Sequence, residues 1–206
     1  MSDSDTAVLC LVKARAWTAA RRVATLVAML VASLSFASVA AAHIPRCAGA
    51  HSSLARSPRV QLQRAVVCLI NEQRQSRGLP RLRENPRLNR SAQGWTNVMV
   101  THRDFSHGAD FAARISAAGF DWSNVGENIA TGYATPTAVV KAWMASKGHC
   151  QNILNPVYRY VGTGVSDSSI SGYSTLAGTW TQDFGLLMGQ HPPSGTWGPA
   201  EGCPYN

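Results

Sequence analysis

Acidic residues are scarce in this chain. Eleven Asp and Glu face nineteen Lys and Arg among 206 residues, a formal charge of +8. An acidic disordered tail is thereby excluded, and an acidic partner becomes a question. Glycine and proline, at 17 and 10, are too few for a collagen-like chain. A hydrophobic share of 45% with a mean hydropathy of −0.08 excludes a polytopic membrane protein. Cysteine is sparse and odd in number, at five. No internal repeat is visible. The patterns H-E-x-x-H, G-x-S-x-G, C-x-x-C, the Walker loop and G-x-G-x-x-G are all missing. The length suits one domain, or at most two small ones.

What is present begins with a leader-like segment. Lys13, Arg15, Arg21 and Arg22 precede an uncharged run from Val23 to Ala42, which closes on Ala40-Ala41-Ala42. A basic start, an apolar middle and a small-residue end are the parts of a secretory signal peptide, expected over 1–42. An uncleaved anchor is the alternative, because the run is long enough to span a bilayer. Removing 1–42 removes Cys10 and leaves Cys47, Cys68, Cys150 and Cys203. An even count in an exported chain favours two disulfides. Fifteen basic and nine acidic residues then remain, a net +6 over 164 residues.

The rest is expected as a lead at 43–61, a domain at 62–188 and an irregular tail at 189–206. Leu62, Val66, Leu69 and Ile70 recur at helical spacing up to Gln75. Asn85-Pro86 is an N-cap and N1 pair. Leu88, Ala92, Trp95, Met99 and His102 then share a face, which makes His102 a partly buried residue. A third helix fits Asp110 to Ala118, and Thr135-Pro136 starts a fourth with Val139, Val140, Trp143 and Met144 inward. Tyr160 to Ser166 and Thr175 to Phe184 are expected as an antiparallel hairpin. Helices first and strands later give an α+β domain.

Three polar islands carry the possible chemistry: Phe105-Ser106-His107, Gly126-Glu127-Asn128-Ile129 and Gly148-His149-Cys150-Gln151-Asn152-Ile153-Leu154. They are expected in loops or at element ends. Two imidazoles and a carboxylate suit a transition metal and suit acid–base work equally. From composition alone, loop histidines are more often structural. Ser106 next to His107 is better suited to capping a turn than to acting as a nucleophile.

The islands and their surroundings resemble the CAP superfamily, the SCP domain of cysteine-rich secretory proteins, antigen 5 and pathogenesis-related proteins, in its bacterial secreted branch. The resemblance runs over about 62–187. It rests on Leu69-Ile70-Asn71-Glu72-Gln73-Arg74, Gly78-Leu79-Pro80-Arg81-Leu82, Phe105-Ser106-His107, Arg114-Ile115, Glu127-Asn128-Ile129-Ala130, Ala142-Trp143-Met144-Ala145-Ser146 and Gly148-His149. Val161-Gly162-Thr163-Gly164-Val165 and Trp180-Thr181-Gln182-Asp183-Phe184-Gly185 complete it. It implies a three-layer α-β-α sandwich with a central antiparallel sheet. It also implies a cleft at His107, Glu127 and His149, with zinc or another divalent metal on the histidines and Glu127 or water completing the shell. The animal branch carries a second glutamate where Ser146 stands, so the carboxylate pair of a glycosidase is not evident.

Cys68 lies on the first helix and Cys150 follows His149, while Cys47 and Cys203 flank the domain. The pairs expected are Cys68–Cys150 and Cys47–Cys203. Arg74, Arg77, Arg81, Arg83, Arg87 and Arg90 form the densest basic stretch. It is either a solvated face or an attraction to anionic cell-wall polymers or lipid headgroups. Nucleic acid is not expected, for lack of interleaved aromatics. The expected function is a secreted binding module with a metal or small ligand in its cleft. The alternative is a zinc-dependent hydrolase of the envelope or extracellular space.

Overall fold

Polar side chains close the first turns of three helices, as their sequence positions predict. The computed structural model describes residues 47–192 together with 202 and 203. The expected leader at 1–42, and all of the tail beyond 192 except those two residues, lie outside the described residues. After a 3-10 turn at Leu54–Arg56 comes α1, Arg59–Gln75. The two-residue strand β1 is Arg83–Glu84. Helix α2, Pro86–His102, is capped by Asn85, whose side chain accepts from the amides of Arg87 and Leu88. Helix α3, Phe111–Ala117, is capped by Asp110 through the amide of Ala113. Strand β2 is Trp122–Thr131. Helix α4, Pro136–Met144, is capped by Thr135 through the amide of Ala138. Helix α5, Lys147–Ile153, precedes β3, Tyr160–Ser166, and β4, Thr179–Leu187.

The strands lie in the order β1-β3-β4-β2. The three long strands are antiparallel, as expected, and β1 adds a short parallel edge beside β3. Alternation along the strands sorts side chains into two layers. On one face, Val161, Val165, Trp180 and Phe184 pack with Leu62, Val66 and Ile70 of α1 and with Val139 and Trp143 of α4. On the other face, Leu88 of α2 packs with Ile115 and Phe120, and Met99 packs with Ile129 and Ile170. The result is the helix–sheet–helix sandwich that the sequence leads one to expect. Gly162 and Gly164 explain how α2 lies so close to the sheet. A Cβ on either would collide with α2 backbone, at Leu88 and Asn89 for the first and at Ala92 and Gln93 for the second.

Strand β2 is the other edge of the sheet, and side chains satisfy its outward carbonyls. Tyr158 Oη donates to the Val125 carbonyl at 3.1 Å, Asn152 Nδ2 to Glu127 at 3.1 Å and Trp143 Nε1 to Ile129 at 3.3 Å. Paired in this way the edge offers no template for another strand. The islands of Glu127 and His149, expected in loops or at element ends, lie instead within β2 and in the first turn of α5. Glycine and asparagine in 122–128 looked like turn punctuation, but they tolerate an edge whose partners are side chains.

Both expected disulfide pairings are wrong. Cys47 bonds to Cys68 and Cys150 to Cys203, with Cα separations of 5.5 and 5.9 Å. The helical wheel gives the reason. Cys68 lies two residues from both Val66 and Ile70, about 200° around α1 at 3.6 residues per turn. It therefore points away from the core stripe and toward the turn at Cys47. Cys150 is fully buried on α5. The returning chain reaches it where Arg77 Nε donates to the Gly202 carbonyl at 2.9 Å. Each bridge thus ties one end of the domain to a helix rather than joining the two ends. Two further expectations change. His102 is exposed at the end of α2. Arg74 leaves the basic stretch for the core, where its guanidinium donates to the carbonyls of Pro80, Ile153 and Asn155, each at 2.8 Å. Burial lowers its pKa to about 10.

The bridges span 21 and 53 residues. Loop entropy then predicts losses of about 3 kcal/mol for the Cys47→Ser, Cys68→Ser variant and about 4 kcal/mol for Cys150→Ser, Cys203→Ser. Thermal melts check both, and an unchanged Tm in either variant would contradict the pairing.

Candidate functional site

Strand β2 turns Glu127 toward the face covered by α2 and α3. Its side chain is 1% exposed and that of His107 is 49% exposed. Oε1 lies 2.8 Å from His107 Nδ1, and Oε2 lies 2.5 Å from an Arg114 terminal nitrogen. A carboxylate can only accept, so the His107 proton sits on Nδ1 and the ring presents Nε2 outward. Arg114 also donates to the His107 carbonyl at 2.9 Å, and its guanidinium stacks 3.8 Å from the centroid of the Trp95 ring. Trp95 Nε1 donates to the Ser106 carbonyl at 3.0 Å. Three hydrogen bonds thus hold the His107 loop. Ser106 takes the turn-capping part expected of it: the Gly108 amide donates to its Oγ at 3.2 Å, and the hydroxyl donates to Asp104 at 2.9 Å.

His149 stands in the first turn of α5. Ser146 occupies the N-cap, but its hydroxyl makes no bond to the helix backbone. It lies 3.0 Å from His149 Nδ1 instead. Burial first, and the neighbouring charge of His107 second, lower the His149 pKa below the ordinary histidine range. His149 is therefore neutral at pH 7. Asn128 Nδ2 reaches the His149 carbonyl at 3.3 Å, and Asn152 Nδ2 reaches Asn128 Oδ1 at 2.9 Å, so α5 is fixed to the same strand that carries Glu127. An apolar cavity of about 240 Å³ opens beside His149, between Phe105, Ile129, Tyr133 and Trp143. Neither histidine has a hydrogen bond at Nε2 among the described residues.

The three expected cleft residues thus belong to one neighbourhood, without forming a three-ligand cage. Among the described residues, only Cys47, Cys68 and Glu72 place three potential ligand atoms within 4.8 Å of one another. The two sulfurs there are bonded to each other. Glu127 has both oxygens engaged, one by His107 and one by Arg114.

Two residues escaped the sequence reading. Arg114 was visible only as part of a motif. Asp183 sits directly across from Glu127 on β4, and across from Gly162 on β3. It is 1% exposed, and neither carboxyl oxygen has a hydrogen-bond partner. The Ser91 hydroxyl and Glu127 face it without a well-formed hydrogen bond to either. Burial above all, then the Glu127 charge, raises its pKa well above the ordinary carboxylate value. Arg114 forms its ion pair with Glu127 and offsets the shift of Asp183 only in part, so the site favours the neutral acid. Strand alternation predicts its face, but nothing in the sequence predicts its cross-strand neighbour.

Comparison with known proteins places the chain. The model of the CAP family, the cysteine-rich secretory protein family, matches residues 67–184. The uncharacterized protein YkwD of Bacillus subtilis is 37% identical over 127 residues, which cover 59% of this chain and 46% of that protein. The uncharacterized membrane protein YlbC of the same organism is 30% identical over 107 residues, covering 50% and 31%. The chain therefore spans less than half the length of these curated relatives. Among solved structures, an extracellular SCP-domain protein of Bacillus anthracis superposes with a TM-score of 0.56 at 25% identity, covering 62% of this chain and 41% of that one. An outer surface protein of Borrelia burgdorferi has the same fold, with a TM-score of 0.53 at 20% identity, covering 59% and 90%. Among the described residues no helix is long and apolar enough to cross a membrane.

Asp183 yields a prediction with a definite sign. A carboxyl whose folded pKa lies above its unfolded value costs stability as pH rises past the unfolded value, near 4. Asp183→Asn keeps the shape of the neutral acid and removes that cost. The variant should melt higher than the parent at pH 7, and the gap should close as pH falls toward 4. A lower Tm at pH 7 would show that Asp183 is ionised in the fold.

Proposed function

Because the chain belongs to the CAP family, we propose that it works outside the cell as a binding module whose cleft takes a divalent metal ion through Nε2 of His107 and of His149. Zinc is the first choice by ligand chemistry, since imidazole and an open shell completed by water suit it. The observation that carries this reading is the anchoring of both rings by Nδ1, to Glu127 at 2.8 Å and to Ser146 at 3.0 Å. A carboxylate behind a histidine fixes its tautomer and raises its basicity toward a metal. The lowered pKa of His149 keeps that ring in its ligating form at neutral pH. Export is supported by the two disulfides, which form in oxidising compartments, and by the leader-like 1–42.

The hydrolase reading is less well supported. A metal of this kind would polarise a bound water, and turnover then needs a carboxylate free to accept a proton. Glu127 has both oxygens engaged, Asp183 is sealed beneath it, and Ser146 stands where a second acid would serve.

Zinc calorimetry tests the proposal. The parent should bind one ion per chain. His107→Ala and His149→Ala should each abolish binding, and Glu127→Gln should weaken it by about 10- to 100-fold. Affinity should fall in acid, as pH drops through the lowered pKa of His149 and that ring protonates. Unchanged binding in both histidine variants would overturn it.

A further inference from the structure

A second cavity lies elsewhere in the molecule, where β1 pairs with β3. It encloses about 490 Å³ and is lined by Arg81, Arg83, Arg159, Tyr158, Tyr160 and Gln190. That volume suits a small polar ligand. The sheet register assembles the arginines. Arg83 is the parallel partner of Tyr160, and its amide donates to the Arg159 carbonyl at 2.9 Å. Arg81 lies two residues before Arg83. Arg159 is steadied from the other side, where its Nε donates to the His191 carbonyl at 3.1 Å.

No carboxylate among the described residues lines this cavity. Among the described residues both ion pairs end on Glu127, so all three guanidinium groups lack an acidic partner. Arg83 makes no side-chain hydrogen bond among the described residues. Arg81 uses one terminal nitrogen on Gln75 Oε1, at 2.8 Å, and Arg159 uses only Nε. Several forked donors thus remain open toward one concavity, which is the geometry that holds carboxylate or phosphate oxygens bidentately. Glu84, the nearest acid in sequence, is occupied by Asn89 Nδ2 at 2.8 Å. The walls are aromatic and fixed. Tyr158 stacks on Phe184 with centroids 5.4 Å apart, and Gln190 Nε2 donates to Tyr160 Oη at 3.2 Å. Polar-tipped aromatic walls around a cationic rim accept a sugar ring that bears an oxyanion.

We propose that this cavity is a binding site for an anionic glycan, recognised by the carboxylate or phosphate of one sugar unit. A lipid surface fits less well. The groups are recessed rather than presented on a plane, and none of the exposed large apolar side chains, Val60, Val98, Tyr173, Leu176 and Met188, lines the cavity. The site is independent of the histidine cleft and of any metal there.

Calorimetry or amide chemical-shift titration with two probes tests it: trigalacturonate for the carboxylate and glucose 1-phosphate for the phosphate. At least one should bind saturably at one per chain. Arg83→Ala and Arg159→Ala should each weaken that binding by about tenfold or more, the loss of a charge-assisted contact. Arg83→Lys should fall between, since it keeps the charge and loses the fork. Arg64→Ala, on the exposed side of α1, should stay within twofold, and His107→Ala and His149→Ala should bind as the parent does. The proposal is overturned if neither sugar binds, or if Arg64→Ala weakens binding as much as Arg83→Ala, which would indicate net charge alone. Binding to phosphatidylglycerol vesicles with no binding of either sugar would overturn it in favour of a lipid surface.

Discussion

The buried carboxylate of Glu127 is the point on which the cleft depends. It lies on an edge strand, yet it is sealed from water, and a buried charge persists only when it is paired and hydrogen-bonded. His107 and Arg114 supply those partners, and each brings a segment with it. Arg114 brings α3 and the Trp95 ring, while His107 brings the loop after α2. The same carboxylate takes the ion pair of Arg114 and, with burial, raises the pKa of Asp183 across from it. Breaking such a pair by removing one member leaves an uncompensated buried charge, so the arrangement is held as a unit.

The second constraint is the unpaired edge on which Glu127 sits. Its carbonyls are satisfied by Tyr158, Asn152 and Trp143. Asn152 belongs to α5, the helix that carries His149, and Trp143 to α4, just before it. Closing the sheet edge and placing the second histidine are therefore one event. On the other edge, β1 ends the sheet with only two residues, and there the arginines gather. The two edges of the sheet thus carry different chemistry: two imidazoles at one and, at the other, guanidinium groups without an acidic partner among the described residues.

Much of this was legible in the sequence, for physical reasons. Asn85, Asp110 and Thr135 mark helix starts because each satisfies amides that the helix leaves open. Gly162 and Gly164 showed as an alternating pattern, and the close approach of α2 explains it. Strand β2 was hidden because its hydrogen-bond partners on one side are side chains, so its own sequence lacks the usual β-branched run. Cys68 misled because its helix was read for its apolar stripe and not for the side opposite. Arg74 was grouped with solvated arginines, although its carbonyl partners come from residues up to 81 positions away, a separation that no local pattern encodes. Glu127 and His107 were both identified, but the direction of their contact, carboxylate behind imidazole, belongs to the three-dimensional structure.

That direction is open to a direct measurement. Nitrogen-15 chemical shifts and long-range proton couplings of the His107 ring report which nitrogen carries the proton in the neutral form. A carboxylate 2.8 Å from Nδ1 requires the Nδ1–H tautomer, with Nε2 bare and able to face a ligand. Observation of the Nε2–H tautomer in the folded protein would contradict the account.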